Sequence, residues 1–258
     1  MPWRASDSAS RAGRTPSTRG RAGRPGIAAG TTAVPVEEVQ MINLSKGGRV
    51  NLSKEAPGTQ KFRIGLGWDA NATDTGTDFD LDVSVFLCKY DAQSNPKLIS
   101  DQHFVFYNSE VRTMERKDTF IQPGDDFPKR GMPASKCLGV VHSGDNRTGS
   151  GDGDDEVIFI DMTKLAADVE EISVVVTIDQ AEARRQNFGQ VRNSYIQIAD
   201  EVSGAVIAKY ALEEDFSMET SVQVGSFYRR DGHFMFKAVG AGYNRGLGDF
   251  VRAYGGAV

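Results

Sequence analysis

Asp78-Phe79-Asp80-Leu81-Asp82-Val83 is the stretch on which the reading of this chain turns. Apolar and acidic residues alternate strictly, and the two-residue period of a β-strand puts Phe79, Leu81 and Val83 on a core face. The three aspartates then share the opposite face, successive ones about 6 to 7 Å apart by strand geometry. Aspartate is depleted in strands, where threonine or lysine would serve a solvated face, so three in alternation ask for a reason beyond solubility. Asp69 and Asp74 precede them, and no Lys or Arg lies anywhere between 69 and 82. Such a cluster repels itself unless a cation sits in it.

The same patterning extends in both directions as short β-branched and aromatic runs separated by Gly, Asn and Asp clusters. It predicts strands over Lys61–Leu66, Phe79–Cys88, His103–Tyr107, Leu138–His142, Val157–Asp161, Ile172–Ile178, Ser194–Ala199, Ala205–Tyr210, Val222–Tyr228 and Phe234–Val239. So many short strands with so little helix predict an all-β protein, a two-sheet β-sandwich with one or two short helices. Those helices are expected at Met162–Val169 and around Ala181–Gln186. Asn43-Leu44-Ser45-Lys46 recurs as Asn51-Leu52-Ser53-Lys54, and the pair reads as the two arms of an opening hairpin.

The 258 residues carry 30 Lys+Arg against 35 Asp+Glu, a net charge of -5. The balance is uneven, because residues 1–35 hold six arginines against Asp7 alone, which is +5 and leaves -10 for the rest. An acidic body argues against specific nucleic-acid binding. Residues 1–40 are rich in Arg, Ser and Gly and are expected to form a disordered leader, since they offer too little apolar surface to offset ordering. Residues 41–258 are expected to form the folded domain. Cys88 and Cys137 are too few for a disulfide framework and lack metal-pair spacing, which favours a reducing, cytoplasmic setting. No apolar run approaches the roughly 20 residues of a membrane-spanning helix.

A second acidic loop, Gly144 through Glu156, contains Asp145, Asp152, Asp154, Asp155 and Glu156 with Arg147 as its one base. Its four glycines let the backbone fold tightly and turn carbonyls inward. Carboxylate, amide and carbonyl oxygen is the donor set of a hard cation, and calcium takes six to eight such ligands. A solvated acidic turn and another hard cation are the competing readings; the absence of Cys and His from both clusters disfavours zinc and copper. Neither loop is an EF-hand, because a loop starting at Asp78 would put Val83 at the obligatory glycine and Lys89 at the closing glutamate. No Gly-Lys-Ser/Thr phosphate loop occurs, and the three histidines are scattered at 103, 142 and 233, so an enzyme reading finds no nucleophile with its base.

From about residue 41 onward the chain resembles the TerD family of tellurium-resistance and stress-response proteins. The resemblance rests on Ser45-Lys46-Gly47-Gly48, Lys54 through Gly58, Gly65-Leu66-Gly67-Trp68-Asp69, Thr77 through Asp82, Phe104 through Asn108 and Gly144 through Glu156. It continues through Ala181-Glu182-Ala183-Arg184, Gln186 through Val191, Glu214 through Ser217 and Phe236 through Gly240. It implies a calcium-binding sandwich comparable to C2 domains, with ion-binding loops gathered at one end, acting in the cytoplasm without catalysis. Carried onto this sequence, the implied ligands are Asp69, Asp78, Asp80, Asp82, Asn108, Asp145, Asp154, Asp155 and Glu156, holding two Ca2+ ions. Calcium, an unidentified protein partner among other TerD-family or membrane-associated stress proteins, or an anionic phospholipid, phosphate or nucleotide ligand are the implied associations. One departure stands out: the family's short loop after Asn108 is here a long insertion near 109–141.

Overall fold

In the computed structural model, which describes residues 41–71, 76–114, 130–212 and 215–257, Phe79, Leu81 and Val83 pack into the main core as the alternation requires. The strands are β1 (Ile42–Asn43), β2 (Arg49–Asn51), β3 (Lys61–Gly67), β4 (Leu81–Tyr90), β5 (Pro96–Leu98), β6 (Phe104–Val105), β7 (Arg112–Thr113) and β8 (Met132–Pro133). They continue as β9 (Val140–His142), β10 (Glu156–Asp161), β11 (Glu171–Ile178), β12 (Tyr195–Asp200), β13 (Val206–Ala211), β14 (Ser221–Arg230) and β15 (His233–Tyr243). One sheet has the order β1-β13-β12-β3-β10-β9, and the other β2-β15-β14-β11-β4-β5 with β6 also on β4. The chain is therefore a β-sandwich. Its core is filled by the inward alternates of both sheets, Phe62, Ile64 and Leu66 from β3 meeting Val85, Leu87 and Val174 from β4 and β11. Each such side chain contributes roughly 1.5–3 kcal/mol by leaving water.

The outer face of β4 departs from a simple polar exterior. Ser84, Phe86 and Cys88 are as fully buried as the core alternates. A C-terminal helix, Leu247–Tyr254, lies over them and supplies Phe250, Val251 and Tyr254 to a second apolar cluster. The Phe86 ring stacks on Tyr254 at 4.4 Å between centroids and on Phe104 at 4.7 Å. The acidic half of β4 and this helix-covered half thus divide one strand face between them.

Three local expectations fail. The two Asn-Leu-Ser-Lys segments are not a hairpin: β1 pairs in parallel with β13, while β2 pairs with β15 in the other sheet. The second segment instead starts helix α1, Leu52–Glu55, with the Asn51 side chain accepting the Lys54 N–H at 3.1 Å. Met162–Val169 forms turns rather than a helix, because Asp161 Oδ1 takes both the Thr163 N–H at 3.0 Å and its hydroxyl at 2.6 Å. His103–Tyr107 is a strand only over β6, after which Ser109 Oγ accepts from Phe106 N at 3.0 Å and donates to Phe104 O at 3.2 Å, folding the chain into a turn. The second expected helix is present as α2, Ala181–Arg184, which makes the C-terminal helix α3.

The leader expected over residues 1–40 and Asp74 lie outside the described residues, as does 115–129 of the insertion. The described ends of that insertion pair as β7 with β8 and add Met132 and Ala134 to Val141, Val157 and Phe159 in a third cluster.

Candidate metal centre

Asp80 and Asp82 leave the start of β4 on its outer face, and Asp145 enters from the loop between β9 and β10. One carboxylate oxygen from each lies within 4.8 Å of the other two. Asp80 and Asp82 are only 4% and 5% exposed, so their charges cannot be shed into bulk water. Burial raises the Asp80 carboxyl above the usual range, with Asp179 adding to it and Arg184 and Arg147 opposing. Burial pushes Asp82 well above it, and Asp80, Asp145 and Asp179 push the same way. The guanidinium groups of Arg147 and Arg184 each lie 3.6 Å from Asp80 Oδ2. Asp80 Oδ1 is buried with no hydrogen-bond partner at all. An orphaned carboxylate oxygen among all-oxygen donors of excess negative charge fits a hard divalent cation.

Asp179, at the end of β11, was not among the expected ligands. Its N–H donates to Asp80 O at 2.8 Å, continuing the β4–β11 ladder to the site, and its carboxylate takes Arg184 Nη2 at 3.1 Å. A strand-end aspartate closing the β-branched run Val174–Ile178 and followed by a one-turn helix was the available signal. Arg184 is aimed by α2, whose flanking residues Gln180 and Arg185 both sit in the left-handed region at φ 49° and 54°.

The remaining expected ligands lie outside that group of three. Asp78 is exposed, and its carbonyl accepts from Gln186 Nε2 at 3.2 Å. Asn108 is exposed in the turn after β6. Asp69 is exposed and bound by Asn193 Nδ2 at 2.6 Å. Asp154 lies across β3 and β12, paired with Arg63 at 3.2 Å and accepting from Gln197 at 2.7 Å and Tyr195 at 3.2 Å. Only glycine at 65 leaves room for it, since a Cβ there would stand 2.1 Å from the Asp154 carboxyl. Asp155 accepts the Trp68 N–H at 3.0 Å and Asn146 Nδ2 at 2.9 Å, and burial pushes its carboxyl up to about 6.

Glu156 is fully buried between the sheets and accepts from Val83 N at 2.9 Å and Asn146 N at 3.3 Å. His142 stands 3.6 Å from it and is also fully buried. Its Nε2–H donates to Val83 O at 3.0 Å and its Nδ1 accepts from Gly144 N at 2.9 Å, which fixes one neutral tautomer. Burial drives His142 down to about 4, so the two are linked through the Val83 peptide groups rather than as an ion pair. With both ring nitrogens engaged, and Ser143 Oγ accepting from Val157 N at 2.8 Å, His142-Ser143 is not a nucleophile–base pair.

The loop itself is built on Asn146, whose Oδ1 takes the Thr148 and Gly149 N–H groups at 3.1 and 3.2 Å. Gly149, at φ 63°, packs where a Cβ would meet the Trp68 indole at 2.3 Å. The Trp68 ring in turn donates to Phe79 O at 3.0 Å. These contacts carry Asp145 to the start of β4.

The two-sheet sandwich is a fold this chain has in common with solved structures. Residues 41–254 match the TerD domain, and the chain belongs to the TerD family. It is 45% identical to "Uncharacterized protein YceE" of Bacillus subtilis over 83% of this chain and 97% of that protein. It is 42% identical to "General stress protein 16U" of the same organism and to "Tellurium resistance protein TerD" of Serratia marcescens, each at the same coverages of 83% and 97%. In fold it resembles the crystal structure of SAV2460, a protein of unknown function, at a TM-score of 0.56 and 21% identity over 78% of this chain and 99% of that one. A TerD homologue from Streptomyces coelicolor, SCO6318, gives 0.51 at 17% identity over 78% and 100%. Among the described residues no helix is long and apolar enough to cross a membrane.

Proposed function

We propose that this chain is a calcium-binding, non-enzymatic stress-response module whose Asp80, Asp82 and Asp145 hold the ion. The observation that carries this is the buried, partnerless Asp80 Oδ1 in a group of three carboxylates closing to within 4.8 Å. The bound ion supplies positive charge where this chain has concentrated negative charge, and it joins the β9–β10 loop to β4. Asp179 adds long-range attraction, and Arg184 and Arg147 hold Asp80 in place from the side. Calcium suits the site better than magnesium, which demands stricter octahedral geometry and keeps more water. The names of the relatives support a role in stress response and tellurium resistance. In this reading the role is exercised in the cytoplasm, through a metal-dependent surface that a protein partner reads. Since Asp69, Asp154, Asp155 and Glu156 are otherwise engaged, the proposal concerns one ion at this centre.

Titration calorimetry with calcium tests it. Asp80→Asn removes one ligand charge at unchanged shape and is expected to weaken binding at least about tenfold. Wild-type affinity in this variant would remove Asp80 from the site.

A further inference from the structure

Beside the acidic centre the surface opens into a cleft of about 1230 Å³. Asp82, Asp179 and the exposed Glu182 line it, and so do Arg185, just after α2, and Arg245. Neither arginine has an ion-pair partner within 4.0 Å among the described residues. Arg245 is nevertheless held in place: its guanidinium stacks on Tyr243 at 4.0 Å and on Phe250 at 4.3 Å from the ring centroids. Its Nε is buried with no hydrogen-bond partner. Asp249 is close enough to be lowered by Arg245, but its carboxylate is taken by Arg252 at 2.6 Å. The next residues, Gly246 and Leu247, also line the cleft and begin the eight-residue helix α3.

A planar guanidinium locked by stacking, with no ion-pair partner among the described residues, matches the oxygen face of a phosphate. The carboxylates of the same cleft repel an anion for as long as they are uncompensated. A divalent cation held by Asp80, Asp82 and Asp145 cancels two of the three ligand charges and relieves much of that repulsion. We propose that this cleft binds a phosphate-type dianion on Arg245, and that calcium at the neighbouring centre is required for it to enter. The inference rests on the calcium reading above and adds to it a ligand class and a coupling. Met218, 69% exposed, and Leu247 line the same cleft and offer apolar surface to the organic part of a phosphomonoester. Coupling of this kind is reciprocal, so phosphate must tighten calcium by the same factor that calcium tightens phosphate.

The test is titration calorimetry of the full chain with inorganic phosphate and, separately, phenyl phosphate, each in micromolar calcium and in EDTA. Both probes are expected to bind at least about tenfold more tightly with calcium, phenyl phosphate the better of the two. Arg245→Gln should lower phosphate affinity at least about tenfold while calcium affinity in phosphate-free buffer stays at the wild-type value. Arg245→Lys, which keeps the charge and loses the fork, should fall between. Calcium binding with no uptake of either probe, or equal phosphate affinity in wild type and Arg245→Gln, overturns the cleft assignment and leaves the calcium reading intact. Phosphate affinity identical in calcium and EDTA overturns the coupling. Failure of calcium itself to bind overturns the reading beneath both.

Discussion

Glu156 and Val83 join the two sheets at the rim of the sandwich: the Glu156 carboxylate on β10 accepts the backbone N–H of Val83 on β4 at 2.9 Å. His142 takes the carbonyl of the same residue, so one peptide edge that no strand covers is satisfied by two buried side chains. The acidic centre begins one residue away, at Asp82, and its geometry depends on this corner.

Glu156→Ala leaves the Val83 and Asn146 N–H groups buried and unpaired, and each costs about 1–3 kcal/mol. The denaturant midpoint is expected to fall by the equivalent of about 2 kcal/mol or more. A change below about 0.5 kcal/mol, measured by urea unfolding, would show that the corner carries no stability.

Asp154 and Asp82 are separated by function. Asp82→Asn is expected to weaken calcium binding at least about tenfold, whereas Asp154→Asn should leave it within about twofold, because that carboxylate belongs to Arg63, Gln197 and Tyr195. Parallel calorimetric titrations of the two variants decide this, and a reversed order would place Asp154 in the site.

Helix α3 is held by its apolar face, and Phe250 is 1% exposed. Phe250→Ala is expected to cost about 3–5 kcal/mol, since it empties space against Phe86 and Cys88 that no neighbour can refill. Thermal unfolding measures it; a loss under about 1 kcal/mol would mean that the helix is dispensable to the sheet.

His103 supplies a pH dependence away from the acidic centre. Burial holds it below its ordinary value, with Asp168 opposing and Lys136 adding to the shift, and its Nδ1 meets Ser100 Oγ at 2.8 Å. The unfolded chain therefore binds the proton more readily. Its contribution is complete above about pH 6.5 and is lost as the pH falls toward the lowered folded value. His103→Gln should flatten the stability profile between pH 7 and 5, and an unchanged slope in urea unfolding would contradict the assignment.

What the sequence made legible follows from periodicity. The alternation at 78–83 located both the core face and the paired aspartates, because a two-residue period survives whatever the rest of the chain does. Asp145 was legible as part of a glycine-rich acidic loop. Its separation from Asp154, Asp155 and Glu156 was not, because Arg63, Trp68 and Val83, which claim those three, come from strands distant in sequence. Helix α3 was legible and missed: Leu247, Phe250, Val251 and Tyr254 have the spacing of one helical face, and Gly255 follows in the left-handed region at φ 88° as a C-terminal stop. The hairpin reading of the repeated Asn-Leu-Ser-Lys failed because four residues cannot say which sheet each copy joins.

The central claim, that the acidic centre is a calcium site built into the fold, is tested most directly by thermal unfolding in calcium against EDTA. Calcium at about a hundred times its dissociation constant should add about 2.7 kcal/mol, which raises the melting temperature by roughly 5–10 °C in a domain of this size. Asp80→Asn should abolish most of that rise. An identical melting temperature in calcium and in EDTA would contradict the account.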